Sequence, residues 1–197
     1  MSKVIKTSSS SAWPFPYCVA ATAVCISLSL MRPTLEAHKR HPNRQYADFA
    51  AFWPLYVSQH SLPATKLLHV VGTSIGIISV VVAHGLNKFQ RLGLGVATGV
   101  ALALCCVDLT AHFATGLHEA LVFGVLLIAC TRAYSGLTIG SILKPVLIGY
   151  AFAWVGHFFI EHNRPATFLH PTFSFLGDMK LLWQIATNQL ALDATTA

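Results

Sequence analysis

The sequence is poor in charge. Of its 197 residues, 13 are Lys or Arg and 7 are Asp or Glu, so charged side chains make up 10% against 54% hydrophobic. A soluble domain carries about 25% charge. With a mean hydropathy of +0.60, the chain reads as an integral membrane protein. No basic stripe interleaved with aromatics is present, which excludes a nucleic-acid binder. The formal net charge of +6 suits anionic lipid surfaces instead. There is no CxxC pair: Cys18, Cys25, Cys105, Cys106 and Cys130 all sit in apolar segments, where free cysteine packs as a small hydrophobe. The HxxxH and HxxHH boxes of membrane desaturases are missing, and no internal repeat is visible. What the chain does have is 10 histidines, unusually many for so apolar a sequence.

Apolar periodicity predicts an all-α, polytopic membrane bundle of about four spans, over residues 64–84, 92–109, 117–133 and 142–160. Gly and Ala in the second span suit close helix packing in lipid. Flanking it, residues 46–59 place Phe49, Phe52, Trp53 and Tyr56 at helical spacing, and the tail repeats Leu176, Met179, Trp183, Ala186 and Leu190. Both read as interfacial amphipathic helices. Residues 1–45 read as a targeting or anchor segment plus linker, with no acid before Glu36 and a serine run at 8–11. His38 and His41 fall in the polar linker EAHKRHPNR, read as a solvated loop. Residues 87–91 are expected to form a short basic loop, 108–119 a turn, and 191–197 a tail.

An even number of spans returns the chain to the side on which it entered. His60 and His69, near the start of the first span, then share one membrane face with His157 and Glu161, near the end of the fourth. Arg32, Lys39, Arg40, Arg44, Lys66, Arg164 and Lys180 fall on the same face, which the positive-inside rule makes cytosolic. His157 and Glu161 are four apart, on one helix face, and Pro165 stops the helix at about Arg164. Histidine and carboxylate inside a membrane segment mark function. Together they suit iron, zinc or manganese, and two histidines with one carboxylate are the usual set of non-haem Fe(II) oxygenases. The alternative is interfacial histidines bonded to water, headgroups or carbonyls. His162 points off that face, and His170 reads equally as a support or a loop residue. His84 closes the first span as a boundary residue. A separate cluster, Asp108, His112, His118 and Glu119, reads as polar residues of an interhelical turn.

Two blocks, FAAFWPLYVSQHSLPATKLLHVVGTSIG (49–76) and GYAFAWVGHFFIEHNRPATFLHPTFSFLGDMKLLW (149–183), resemble the 2-hydroxy fatty acid dioxygenases of phytosphingosine degradation. The GHxxxE–NRPAT element is specific, and the histidines before and inside the first span reinforce it. The resemblance implies a multi-pass endoplasmic-reticulum protein that uses Fe(II) and O2 to shorten a 2-hydroxy fatty acid by one carbon, with membrane lipid around it. The acid-free N-terminus also fits another organelle membrane. Carried over by motif, His60, His69 and His157 would be metal ligands. Glu161 would be a fourth ligand or the group that orients His157, and Arg164 would pair with the substrate carboxylate. The catalytic domain would span 46–190, with 92–137 as an added hairpin. Trp154, Phe158 and Phe159 are candidates to line the acyl chain. The competing readings are a non-enzymatic lipid-binding or scaffolding protein and a bis-histidine haem protein.

Overall fold

In the computed structural model, the structure describes residues 40–192 and scattered positions between 19 and 30. Most of the N-terminal segment, His38 included, and the last residues of the tail lie outside the described residues. Those described are helical, with no strand among them. Helix α1 spans Phe49–Ser58, α2 Pro63–Thr110, α3 Leu117–Ser135, α4 Ile139–Val155 and α5 Pro171–Ala186; a π-helical turn, Gly156–Ile160, continues α4. Three of these elements are long and apolar enough to cross a membrane: α2, α3, and α4 with its π turn.

Helix α2 is broken at Gly85, whose φ of 76° and ψ of 166° are not helical. That backbone region is strained for any residue with a Cβ, so glycine stands at the break. The chain turns at this one residue, and helix resumes at once over residues 87–91, where the sequence suggested a loop. The limb 63–84 packs on α4, with Gly72 against Phe152 and Gly76 against the Pro145 carbonyl. The limb 86–110 packs on α3. A Cβ at Gly95 would stand 2.6 Å from the Thr131 Cα, and one at Gly99 2.9 Å from the Leu127 Cα. Small residues four apart therefore let two backbones approach, as in lipid-embedded helix pairs.

Both ends of α2 lie at one end of the bundle. Near its start, the Leu62 N–H reaches Glu161. Near its finish, Val107 joins Phe52, Tyr56, Ala166, Phe173 and Leu181 in one core cluster. Apolar side chains elsewhere point outward, including Val82 (81% exposed), Val125 (67%) and Phe159 (73%). An apolar exterior around a helical bundle is the arrangement a bilayer requires.

The flanking helices depart from the simple interfacial picture. Asp48 caps α1, accepting from the Ala51 N–H at 2.8 Å. Phe52 and Tyr56 of α1 are 0% and 2% exposed, so its aromatic face is core. In α5 the buried face is Phe173, Gly177 and Leu181. The stripe expected there, through Leu176, Met179, Trp183, Ala186 and Leu190, is displaced from it: Trp183 is exposed, and Leu190 lies beyond the helix. The reason is local. A Cβ at Gly177 would stand 2.5 Å from the Tyr56 ring, so α5 rests on α1 through the face that lacks a side chain.

The polar linker is not simply solvated. Its Arg44 is 1% exposed, pairs with Glu119, and donates to the Thr115 carbonyl at 3.0 Å. Arg40 pairs with Asp108. Asp108, in the last turn of α2, and Glu119, in the first turn of α3, are thus helical rather than turn residues and anchor the linker; Glu119 also accepts from the Thr172 N–H at 2.9 Å. His112 and His118 are exposed and sandwich Phe113. A buried, paired charge network is the physical account of this cluster.

Candidate metal centre

Three elements converge where α1 ends, α2 begins and α4 unwinds. His60 follows α1, and its backbone N–H donates to the Val57 carbonyl at 3.0 Å. Pro63 then opens α2, which places His69 two turns in. His157 sits in the π turn, where the Glu161 N–H reaches back to the Gly156 carbonyl at 2.9 Å. Such a turn inserts a residue and re-aims the side chains around it, a device frequent at functional sites. A Cβ at Gly156 would stand 3.0 Å from Thr65 Cγ2, so α2 and the π turn meet closely. His60, His69 and His157 are 2%, 5% and 3% exposed. One ring nitrogen from each lies within 4.8 Å of the others.

The other ring nitrogens are all engaged. His60 Nδ1 donates to the Tyr56 carbonyl at 2.6 Å, and His69 Nδ1 donates to Asp178 Oδ1 at 2.8 Å. His157 Nδ1 donates to Asn163 Oδ1 at 2.7 Å; that amide is oriented in turn by its Nδ2, which donates to the Gln59 carbonyl at 2.8 Å. Carbonyl, carboxylate and amide oxygen can only accept, so each imidazole carries its proton on Nδ1. The Nε2 atoms are then lone-pair acceptors. Two of them, on His60 and His69, face each other at 3.1 Å, a contact that is repulsive without a cation. Nitrogen ligands about 2.1 Å from one ion and at right angles are about 3 Å apart, so the spacing fits a shared metal. Burial, with the neighbouring His69 next, holds His60 well below the ordinary imidazole range and keeps it unprotonated. The space at the three histidines is about 10 Å³, roughly the size that one water or ion fills and far too small for a porphyrin.

Asp178 is the residue that sequence reasoning missed. Besides His69 it accepts from the Tyr56 hydroxyl at 2.6 Å. Burial, then the Asp178 charge, holds that phenol well above its ordinary range, so it stays a donor. The available signal was a lone carboxylate, GDMKLLW, in an otherwise apolar helix. Asn163 was missed as well; it lies inside the NRPAT motif, two residues beyond the acid that drew attention.

Glu161 takes a different place from the one expected. Its carboxylate accepts from the Leu62 N–H at 2.7 Å and the Ser61 hydroxyl at 2.9 Å, capping the start of α2, whose N-cap side chain supplies no bond. Asn163 occupies the position beside His157 that Glu161 was expected to fill. The cause is the π turn together with His162, which adopts a φ of 52° and reverses the chain. His162 itself is exposed. Arg164 is also exposed and lies 5.4 Å over the Phe168 ring. Phe158 and Phe159 are exposed on the bundle surface, and Trp154, also exposed, borders the space at the histidines as well. His170 is 1% exposed in an aromatic nest of Tyr46, Phe52 and Phe173, and neither ring nitrogen has a protein partner among the described residues. His41 and His84 are half-buried and outside the cluster.

No curated protein and no solved structure is detectably similar to the chain. A family model does match, over residues 46–190. That stretch takes in every residue that builds the histidine cluster, and the chain accordingly belongs to the family described as 2-hydroxy-palmitic acid dioxygenase Mpo1-like.

Proposed function

We propose that the protein is an Fe(II)-dependent dioxygenase that converts a 2-hydroxy fatty acid to the acid one carbon shorter, with release of CO2. The observation that carries this reading is the meeting of three imidazole lone pairs, each aimed by an acceptor behind its ring, in a member of a dioxygenase family. His60, His69 and His157 would hold the ion through Nε2, leaving positions open for O2 and for a substrate that chelates through its hydroxyl and carboxylate. Bound Fe(II) supplies the one-electron chemistry by which O2 reacts with a closed-shell acid. Asp178 and Asn163 keep two of the imidazoles aimed and protonated on Nδ1, and the Tyr56 carbonyl does so for the third. Their burial excludes water from the reacting atoms.

The reaction balances without an outside reductant. The bond between the carboxyl carbon and the hydroxyl-bearing carbon breaks. The electrons these two carbons lose reduce O2, and the products are the shortened acid, CO2 and water. Glu161 serves as a brace between the π turn and α2, and Arg164 as a basic anchor at the bundle end.

Four membrane crossings follow from counting the limbs of α2 separately, with the histidine end facing the cytosol. Arg40, Arg44, Lys66, Arg164 and Lys180 lie at that end, against Lys88, Arg91, Arg132 and Lys144 at the other. The family resemblance points to the endoplasmic reticulum. The test is purified full-length protein given 2-hydroxypalmitate and O2 under defined iron. Pentadecanoate and CO2 are expected, with turnover lost in each of His60→Ala, His69→Ala and His157→Ala. Full turnover in any one of these folded variants would end the reading.

A further inference from the structure

Beside the histidines lies a second cavity, half-open and of about 250 Å³, bounded by both limbs of α2 with α3, α4 and α5. Its wall is almost entirely aliphatic and aromatic, including Val80, Phe89, Ile142 and Val146. Its polar exceptions include Tyr150 and Asp178, and these two also line the space at the histidines. The cavity therefore begins at the wall of the metal centre and runs into the apolar bundle. From Tyr150 to Ile142 the lining follows α4 for about 12 Å, at 1.5 Å per residue. Protein interiors are close-packed, and a void this size forfeits contacts unless something fills it.

We infer that this cavity is the acyl-chain site of the enzyme, with the carboxyl end of the substrate at Tyr150 and Asp178 and the methyl end toward Phe89 and Ile142. The inference rests on the function proposed above and adds the part of the chain that reads substrate length. Three of the lining residues are glycines: Gly76, closed off by the Pro145 carbonyl, and two open ones, Gly93 near the far end and Gly149 beside Tyr150. A Cβ at either would meet no atom within 4 Å, so each leaves space that a side chain could take. The hairpin of α2 and α3, through Gly93, Leu127 and Thr131, supplies one wall of the cavity.

The experiment measures the affinity of full-length protein in detergent for hexadecanoate and octanoate, by displacement of a fluorescent fatty acid. It uses the His157→Ala background, so that binding is read without turnover or bound metal. Gly93→Leu is expected to lower the ratio of hexadecanoate to octanoate affinity at least about tenfold, the loss that follows when two methylenes leave apolar surroundings. Gly149→Leu is expected to weaken both acids. Leucine is a better helix former than glycine, so unfolding is not the expected cause, and circular dichroism checks it. Unchanged hexadecanoate binding in both folded variants would overturn the inference, as would uptake of a phospholipid with no affinity for free acid. Length-dependent binding in a protein that turns over no 2-hydroxy acid would leave the cavity assignment standing and remove the proposed reaction. Turnover with no sensitivity to either substitution would do the reverse.

Discussion

Asp178→Asn is the substitution that tests the logic of the metal centre most directly. The carboxylate accepts two hydrogen bonds, from the Tyr56 hydroxyl at 2.6 Å and from His69 Nδ1 at 2.8 Å. Its side chain is 23% exposed, so the charge is only partly screened. Hydrogen bonds to a charged group are worth about 1.5–3 kcal/mol each. Both bonds end on the same oxygen, Oδ1. Asparagine keeps the shape and can place its amide oxygen there, with its NH2 where Oδ2 was, which leaves His69 and Tyr56 each a neutral and weaker bond. Loss of such a partner behind a ligand typically costs about 10–100-fold in metal affinity or activity, or about 1.4–2.7 kcal/mol. Anaerobic Fe(II) titration of purified protein, with turnover in parallel, should show a loss in that range. Tyr56→Phe, which leaves the His69 bond in place, should cost less than about threefold. In the double mutant the two effects should fall short of additivity by at least about 0.5 kcal/mol, since both donors share one carboxylate. A folded Asp178→Asn protein that bound Fe(II) within twofold of wild type would show that the orientation of His69 does not depend on this contact, and the argument from converging lone pairs would fail with it.

The roles of Asn163 and Glu161 separate in the same assay. Asn163→Leu should lower iron occupancy at least about tenfold, while Glu161→Gln, which still offers an oxygen to the Leu62 N–H, should change it little and cost about 1 kcal/mol of stability at most. His170 concerns pH. Burial, with Arg44 and Arg40 next, pushes its imidazole down to about 4, so the unfolded chain takes up the proton first. Stability is complete above about pH 6.5 and is lost as pH falls toward 4, by at most about 3 kcal/mol. His170→Phe, which puts no polar atom in the aromatic nest, should flatten that acid limb in thermal unfolding scans; an unchanged limb would contradict it. Cys105→Ala with Cys106→Ala should leave iron content and turnover near wild type, because neither thiol is near the histidine cluster. Loss of iron from that folded double variant would make the cysteines ligands.

Much of this protein was legible because lipid imposes simple rules. Scarce charge and long apolar segments determine an all-helical membrane bundle, since only helices satisfy their own backbone in hydrocarbon. The meeting of His60 and His69 with His157 was also accessible from the sequence: it follows from a chain that returns to the face it entered by, whatever the packing between. The NRPAT block pointed to the family by itself. What the sequence did not determine is which side chains stand behind those histidines. Glu161, four residues from His157, is the helical choice, and it is displaced because a π turn and a left-handed His162 break the helical register there. Asp178 lies more than a hundred residues from His69 and reaches it only because Gly177 lets α5 settle on the Tyr56 ring. The same holds for the buried arginines of the linker and for the cavity beside the metal centre. Composition and periodicity report which surfaces avoid water, and a register break or a close glycine contact leaves no trace in either. Those local departures from regular helix decided the chemistry of the site, and they exist only in the packed structure.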